Sequence, residues 1–338
     1  MAGAFPIETR SKMIDITTTY AGLQLKNPIV AASSGLTSNI NKIKELAAQG
    51  VGAIVLKSLF EEQIEMQGQS MLEHTDYPEA ADYIAQYVRG EQVNQYLDLI
   101  SQAKQSTDVP VIASINCFRA DAWADFAGRI EQAGADAIEL NVMRLETDLF
   151  AKESYEDQYV AIVASIVKAV KIPVTVKLSR TLSNIPALVD KLRATGAKGI
   201  VLFNRSYRTD VDIETESLCS GNVFSQPTDI CDTLRYTGIC SALIPGVSLA
   251  ASTGVHGWEE VVKCILVGSS AVQMCSALYK GGSTAIKEAI LGLTTWMERK
   301  GYRSIEEFRG RLNAADIKSA TMFERMQFMK YFSRHESN

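Results

Sequence analysis

The segment AIELNVMR, residues 137–144, starts as an apolar strand and ends in polar side chains that a plain core would not use. Ala137, Glu139 and Asn141 alternate with Ile138, Leu140 and Val142, so on a strand they share one face. A carboxylate and an amide on the inner face of a buried strand are costly unless each has a partner. The pattern implies that Asn141 faces a bound ligand and that Glu139 offsets a buried lysine.

Seven comparable apolar runs surround this one, at 29–33, 53–57, 111–115, 174–178, 199–203, 247–251 and 271–275. Amphipathic stretches follow each strand, at 39–49, 93–104, 121–133, 156–170, 185–194, 227–236, 257–266 and 285–300. Gly50, Gly134 and Gly196 stand where helices would close before the next strand. Strands that are almost continuously apolar are buried on both faces, which means a parallel sheet. Eight such β–α units close most simply into an α/β (βα)8 TIM barrel; a doubly wound open sheet is the structural alternative. The expected division is a leader at 1–12 outside the fold, a barrel over 13–312 and a C-terminal helical extension over 313–338. Met322, Phe323, Met326, Phe328, Met329 and Phe332 fall at near-helical spacing in that extension. The long connections at 59–110 and 204–245 read as lids or interfaces.

Bulk composition narrows the function. The 338 residues are 46% hydrophobic and carry a net charge of −5, which asks for neither nucleic acid nor an anionic membrane surface as partner. No apolar run is long enough to cross a bilayer, and the first twelve residues lack the apolar core of a signal peptide. Six cysteines without a C-x-x-C pair, and three scattered histidines, point to reduced thiols in a cytoplasmic protein with no metal site.

Barrels of this type place their active site at the strand C-termini. Those ends read Ser33-Ser34-Gly35, Lys57-Ser58, Asn116-Cys117, Asn141, Lys177, Asn204-Arg205, Ser252-Thr253-Gly254 and Cys275-Ser276. A lysine at the end of a buried strand needs an anion or an acceptor-rich ligand. Lys57 and Lys177 outnumber Glu139, so at least one of them should face a ligand. The small residues ending strands seven and eight suit a phosphate, although an ordinary tight turn uses the same residues. Arg119, Arg144, Arg180, Arg205 and Arg208 follow strands three to six; as a set they suggest an anionic substrate, and singly they are ordinary solvated arginines.

These residues resemble the dihydroorotate dehydrogenase family, particularly its soluble branch. The likeness runs from about Ile14 to Leu312 and rests on Asn27-Pro28, Ala32-Ser33, Lys57-Ser58, Glu139-Leu140-Asn141, Val176-Lys177-Leu178, GSSAVQMCSAL at 268–278, and Lys300-Gly301-Tyr302 with Ser304-Ile305. The resemblance implies an FMN-dependent barrel that oxidises dihydroorotate to orotate in pyrimidine biosynthesis, as a cytoplasmic homodimer. Carried over by position, FMN contacts fall on Ser33, Lys57, Ser58, Asn141, Lys177, Phe203, Gly221, Thr253, Gly254, Cys275 and Ser276. Lys57 and Asn141 would lie between flavin and substrate, with Asn204 and Arg205 on the substrate.

The departures concern the substrate half. Where the family carries a cysteine or serine base, this chain has Arg144, which cannot act as a base because its pKa lies above ~12. The family's substrate loop after strand two has no counterpart, and its Asn-Ser pair after strand six is Asn204-Arg205. Cys117, Tyr207 and Glu146 are the candidate substitutes for the base. The expected function is an FMN oxidoreductase acting on a CH–CH donor. The alternative is an FMN barrel for a different small anionic substrate, or one without dehydrogenase turnover.

Overall fold

The computed structural model describes residues 14–60, 81–116, 120–141, 147, 149–150, 154–205, 209–315 and 323. Arg144, Cys117, Glu146, Tyr207, Arg119, Arg208, the leader at 1–12 and most of the 313–338 extension lie outside the described residues.

Thirteen strands are numbered in chain order: β1 Thr18–Tyr20, β2 Leu23–Leu25, β3 Ile29–Ala31, β4 Ala53–Val55, β5 Leu59–Phe60, β6 Val111–Asn116, β7 Ala137–Asn141, β8 Val174–Leu178, β9 Gly199–Leu202, β10 Thr209–Asp212, β11 Ser217–Ser220, β12 Ser248–Ser252 and β13 Ala271–Met274. The described helices are α1 Ile40–Ala48, α2 Ala81–Ser106, α3 Ala120–Gln132, α4 Tyr155–Ala169, α5 Ile185–Ala194, α6 Ile230–Leu243, α7 Trp258–Leu266, α8 Ser276–Gly281 and α9 Ala285–Lys300. Parallel pairing runs β3–β4–β6–β7–β8–β9–β12–β13 and returns to β3 through Val272↔Ile29 and Met274↔Ala31, closing a (βα)8 barrel. Each of the eight strand runs holds a described strand and each helical stretch a described helix, although α2 begins at Ala81 rather than at the expected 93.

Three local differences have physical causes. The second barrel strand is broken: Val55 pairs with Ile112 and Leu59 with Ile115, so four steps on this strand face three on β6. One extra residue is the count of a bulge. Lys57 N–H leaves the ladder for Thr37 O (3.2 Å), and Ser58 N–H donates to Ser33 Oγ (2.9 Å). Helix α6 continues to Leu243, well past the expected end at 236, although Gly238 reads as a breaker. A Cβ at 238 would lie 2.6 Å from the ring of Phe323, so this glycine makes room for the C-terminal segment. The third difference is the pair of hairpins, β1–β2 and β10–β11, which short polar strands concealed.

The β1–β2 hairpin plugs the barrel floor. Ala21 and Gly22 both take positive φ (51° and 87°), as a two-residue turn requires. The turn drives Tyr20 into a cluster with Val30, Ala53, Ala137, Val201, Ala250 and Ala271 on the inner barrel wall. The small wall residues make room for the ring: a Cβ on Gly199 would come within 3.2 Å of it. Replacing Tyr20 with alanine should therefore leave a cavity and cost roughly 3 kcal/mol or more. Denaturant unfolding checks this; a change below about 1 kcal/mol would mean the hairpin is not the floor.

Candidate active site at the barrel mouth

A cavity of about 480 Å³ opens among the strand C-termini. That is within the usual range for small-molecule sites. Its walls include Ser33, Lys57, Ser58, Asn141, Lys177, Asn204, Arg205, Thr253, Gly254, Cys275 and Ser276 from the sequence reading. Phe203 and Gly221 do not line it. Phe203 is 2% exposed and packs edge-on against Tyr236, while its carbonyl accepts from Thr253 Oγ1 (3.0 Å).

Beneath the cavity lies a buried polar chain. Lys177 Nζ donates to Gln273 Oε1 (2.7 Å), and Gln273 Nε2 donates to Glu139 Oε2 (2.6 Å). Glu139 Oε1 stands 3.9 Å from Lys177 Nζ and has no hydrogen-bond donor among the described residues. Strand alternation explains the meeting: Glu139 and Asn141 of β7, Lys177 of β8 and Gln273 of β13 all fall on inward positions. Burial raises the Glu139 carboxyl above its ordinary range, and the Lys177 charge and the Gln273 amide oppose that rise. An ammonium has three donors. One is committed to Gln273, so charge and donor capacity remain for the cavity.

Lys57 behaves differently. The expectation was that it loses hydration at the end of a buried strand; it is exposed, because the bulge turns it toward the open side of the cavity. Among the described residues only Lys177 is the buried lysine that Glu139 offsets.

The remaining polar walls are also arranged to donate. The buried Ser114 hydroxyl shares a hydrogen bond with Ser58 Oγ (2.7 Å). Ser58 Oγ in turn reaches Ser33 Oγ (3.0 Å), which already accepts from Ser58 N–H (2.9 Å). The Ser33 hydroxyl is thereby fixed on the cavity wall. Asn141 Oδ1 accepts from Asn204 Nδ2, which leaves the Asn141 amide hydrogens to a ligand. Tyr159 O–H fixes the end of β7 by donating to Asn141 O (3.0 Å).

At the other end, Thr253 and Gly254 both take positive φ (75° and 83°). A Cβ on Gly254 would lie 2.3 Å from the backbone nitrogen of Ile230, so the glycine is required by contact with the start of α6. Ser225 joins this end: its N–H donates to Ser276 Oγ (3.0 Å) and its hydroxyl meets His256 Nε2 (3.0 Å). Burial and the Lys280 charge lower the His256 pKa, so the imidazole is neutral at pH 7. Burial also raises the Cys275 thiol, partly opposed by Lys177 and Ser34, and it too is neutral.

Arginine placement corrects the anionic-substrate pattern. Arg205, expected on the substrate, is committed to its own chain: it pairs with Asp229 (2.7 Å) and bonds the carbonyls of Asn222, Val223 and Phe224 (2.5, 3.0 and 3.0 Å). Arg180 pairs with Asp232 (3.3 Å). Both side chains meet acids from the start of α6 and the turn before it, which the sequence could not place beside them. Gln273, Ser114 and Ser225 were missed. Only Gln273 left a trace in the sequence, as a lone polar residue at an inward position of an apolar strand.

Fold and site together define a (βα)8 barrel enzyme with one cation buried under a donor-rich mouth. Residues 15–297 match the family model of dihydroorotate dehydrogenase. The chain is 30% identical over 311 residues, 88% of its length and 98% of the relative's, to the dihydroorotate dehydrogenase B (NAD(+)) catalytic subunit of Thermoplasma volcanium. It is 27% identical to the corresponding subunit of Thermoplasma acidophilum, over 88% of this chain and 99% of that one. A crystal structure of the dihydroorotate dehydrogenase of Eimeria tenella with ferulenol superposes with a TM-score of 0.62 at 12% identity, covering 91% of each chain. The chain belongs to the dihydroorotate dehydrogenase family and is an oxidoreductase.

The buried pair has a pH signature. Glu139 binds its proton more tightly folded than unfolded, so its contribution is fully present below the ordinary value of 4.5 and is lost as pH rises through the raised one. Glu139→Gln removes that component. The wild-type-minus-variant stability difference should therefore fall as pH increases from 4.5; a difference that grows with pH would mean the Lys177 charge lowers the carboxyl below its unfolded value.

Proposed function

We propose that this chain is an FMN-dependent oxidoreductase that takes a hydride from a CH–CH bond of dihydroorotate, the reaction that forms orotate in pyrimidine biosynthesis. The observation that carries the reading is the polarity of the cavity: Lys177 and Asn141 have donors left for it, and the Ser33 hydroxyl lines it. Such a site suits a planar, acceptor-rich ligand that gains negative charge. Bound FMN would supply a hydride acceptor of that kind. Lys177 would hold a fixed positive charge against its pyrimidine edge, preorganised by Gln273 and Glu139. Thr253, Gly254 and Ser276 would hold the phosphate with backbone and hydroxyl donors, and Lys57 and Asn141 would orient substrate over the ring. A cytoplasmic homodimer accompanies this reading, on the likeness to the soluble branch.

The described cavity lining contains no carboxylate and no histidine. The proton acceptor is therefore sought among Cys117, Glu146 and Tyr207, with Arg144 binding rather than deprotonating the substrate. One observation favours the second reading, an FMN barrel without dehydrogenase turnover on dihydroorotate: Arg180 and Arg205 are already paired with Asp232 and Asp229, which leaves neither guanidinium free for the carboxylate of dihydroorotate.

Purified protein titrated anaerobically with dihydroorotate should lose its flavin absorbance. A flavin that stays oxidised would favour the second reading, and a protein that cannot be loaded with FMN would overturn the cofactor. Lys177→Met should weaken FMN binding roughly 10- to 100-fold, the worth of a hydrogen bond to a charged donor. Making it in a Glu139→Gln background avoids stranding a buried carboxylate, and fluorescence quenching on FMN addition measures it.

A further inference from the structure

The geometry points to Arg205 as the latch of a strap over the ligand cavity: a positioning residue that sets how fast the bound cofactor leaves, rather than a receptor for the substrate anion. This rests on the FMN reading above. The chain leaves the barrel at β9, runs out through the exposed ribbon β10–β11 and returns at Asn222. Residues 223–225 then cross the cavity and line it. Described backbone–backbone hydrogen bonds do not hold this crossing: Asn222, Val223, Phe224 and Ser225 take part in none. Three successive carbonyls converge instead on one guanidinium, Asn222 O on Nη2 (2.5 Å), Val223 O on Nε (3.0 Å) and Phe224 O on Nη2 (3.0 Å). The remaining arm, Nη1, is anchored on Asp229 (2.7 Å), which also accepts from Gln226 N–H (3.0 Å). The far side is tied by Ser225 N–H on Ser276 Oγ, by the Ser225 hydroxyl on His256 Nε2 (3.0 Å), by Lys280 Nζ on Ser225 O (3.3 Å) and by the ring contact of Phe224 with Tyr279.

A planar fork with five donors can hold three carbonyls and a carboxylate together; a lysine ammonium keeps the charge but not the geometry. Because Asp229 neutralises the guanidinium, Arg205 is poorly suited to recruit an anion. Its effect on the cavity runs through the strap it closes.

Arg205→Lys and Asp229→Asn separate these roles in the FMN-loaded protein. Two rates are measured: chymotryptic cleavage after Phe224, mapped by mass spectrometry, and FMN release after dilution into a flavin-trapping apoprotein. Arg205→Lys should raise both roughly tenfold or more, since charge-assisted bonds are lost, and Asp229→Asn should raise both in the same direction. Unchanged cleavage after Phe224 in both variants would overturn the latch. Faster cleavage with unchanged FMN release would overturn its control of the cavity. If neither the parent protein nor the variants take up FMN, the cofactor reading fails, and cleavage in the ligand-free protein still decides whether Arg205 closes the strap.

Discussion

The hydrogen-bonded chain from Glu139 through Gln273 to Lys177 is the constraint on which the site depends. Three strands that are distant in sequence deliver these groups to one level of the barrel interior, where water cannot solvate them. Burial raises the Glu139 carboxyl, and the Lys177 charge and the Gln273 amide oppose that rise, so the three groups hold one another in place at the cavity floor. Breaking such an arrangement by removing one partner costs about 3–5 kcal/mol, so the pair constrains the core as well as the chemistry above it. The inner wall below is made of small residues filled by Tyr20, which seals the floor against water from the other side.

Above that floor the walls are specified by hydrogen-bond direction more than by charge. The Ser114–Ser58–Ser33 chain begins in a fully buried hydroxyl and ends in one on the cavity wall. The bulge between β4 and β5 is what brings Ser58 into this chain while releasing Lys57 to the open side. Asn204 fixes the Asn141 amide in the same sense. Among the described residues, Arg180 and Arg205 are spent on Asp232 and Asp229. The described walls are therefore matched to hydrogen-bond acceptors, as the proposed flavin requires.

Much of the fold was legible because parallel barrel strands are apolar on both faces, and the helices between them carry a clear stripe. The break in strand two was not, since a bulge is a matter of register between strands and no run of residues declares it. Helix α6 was cut short in the sequence reading because Gly238 answers to Phe323, a partner 85 positions away. Within the site, Lys177 and Asn141 announced themselves as polar residues at the ends of apolar strands. Arg205 announced itself equally well, but its partners did not: the carbonyls of 222–224 and the Asp229 carboxylate lie 17 to 24 positions away. The proposed substrate half falls on Arg144, Cys117, Glu146 and Tyr207, which lie outside the described residues.

In the proposed function, a flavin rests on the Lys177 ammonium, which Gln273 and Glu139 hold in place before the ligand arrives. A crystal structure of the FMN-loaded protein tests this most directly. It should show the flavin's pyrimidine edge within hydrogen-bond distance of Lys177 Nζ, about 3 Å, with the Lys177–Gln273–Glu139 chain intact beneath it and the phosphate beside Thr253, Gly254 and Ser276. A flavin bound elsewhere, or one in the cavity with Lys177 still bonded to Gln273 alone, would contradict it.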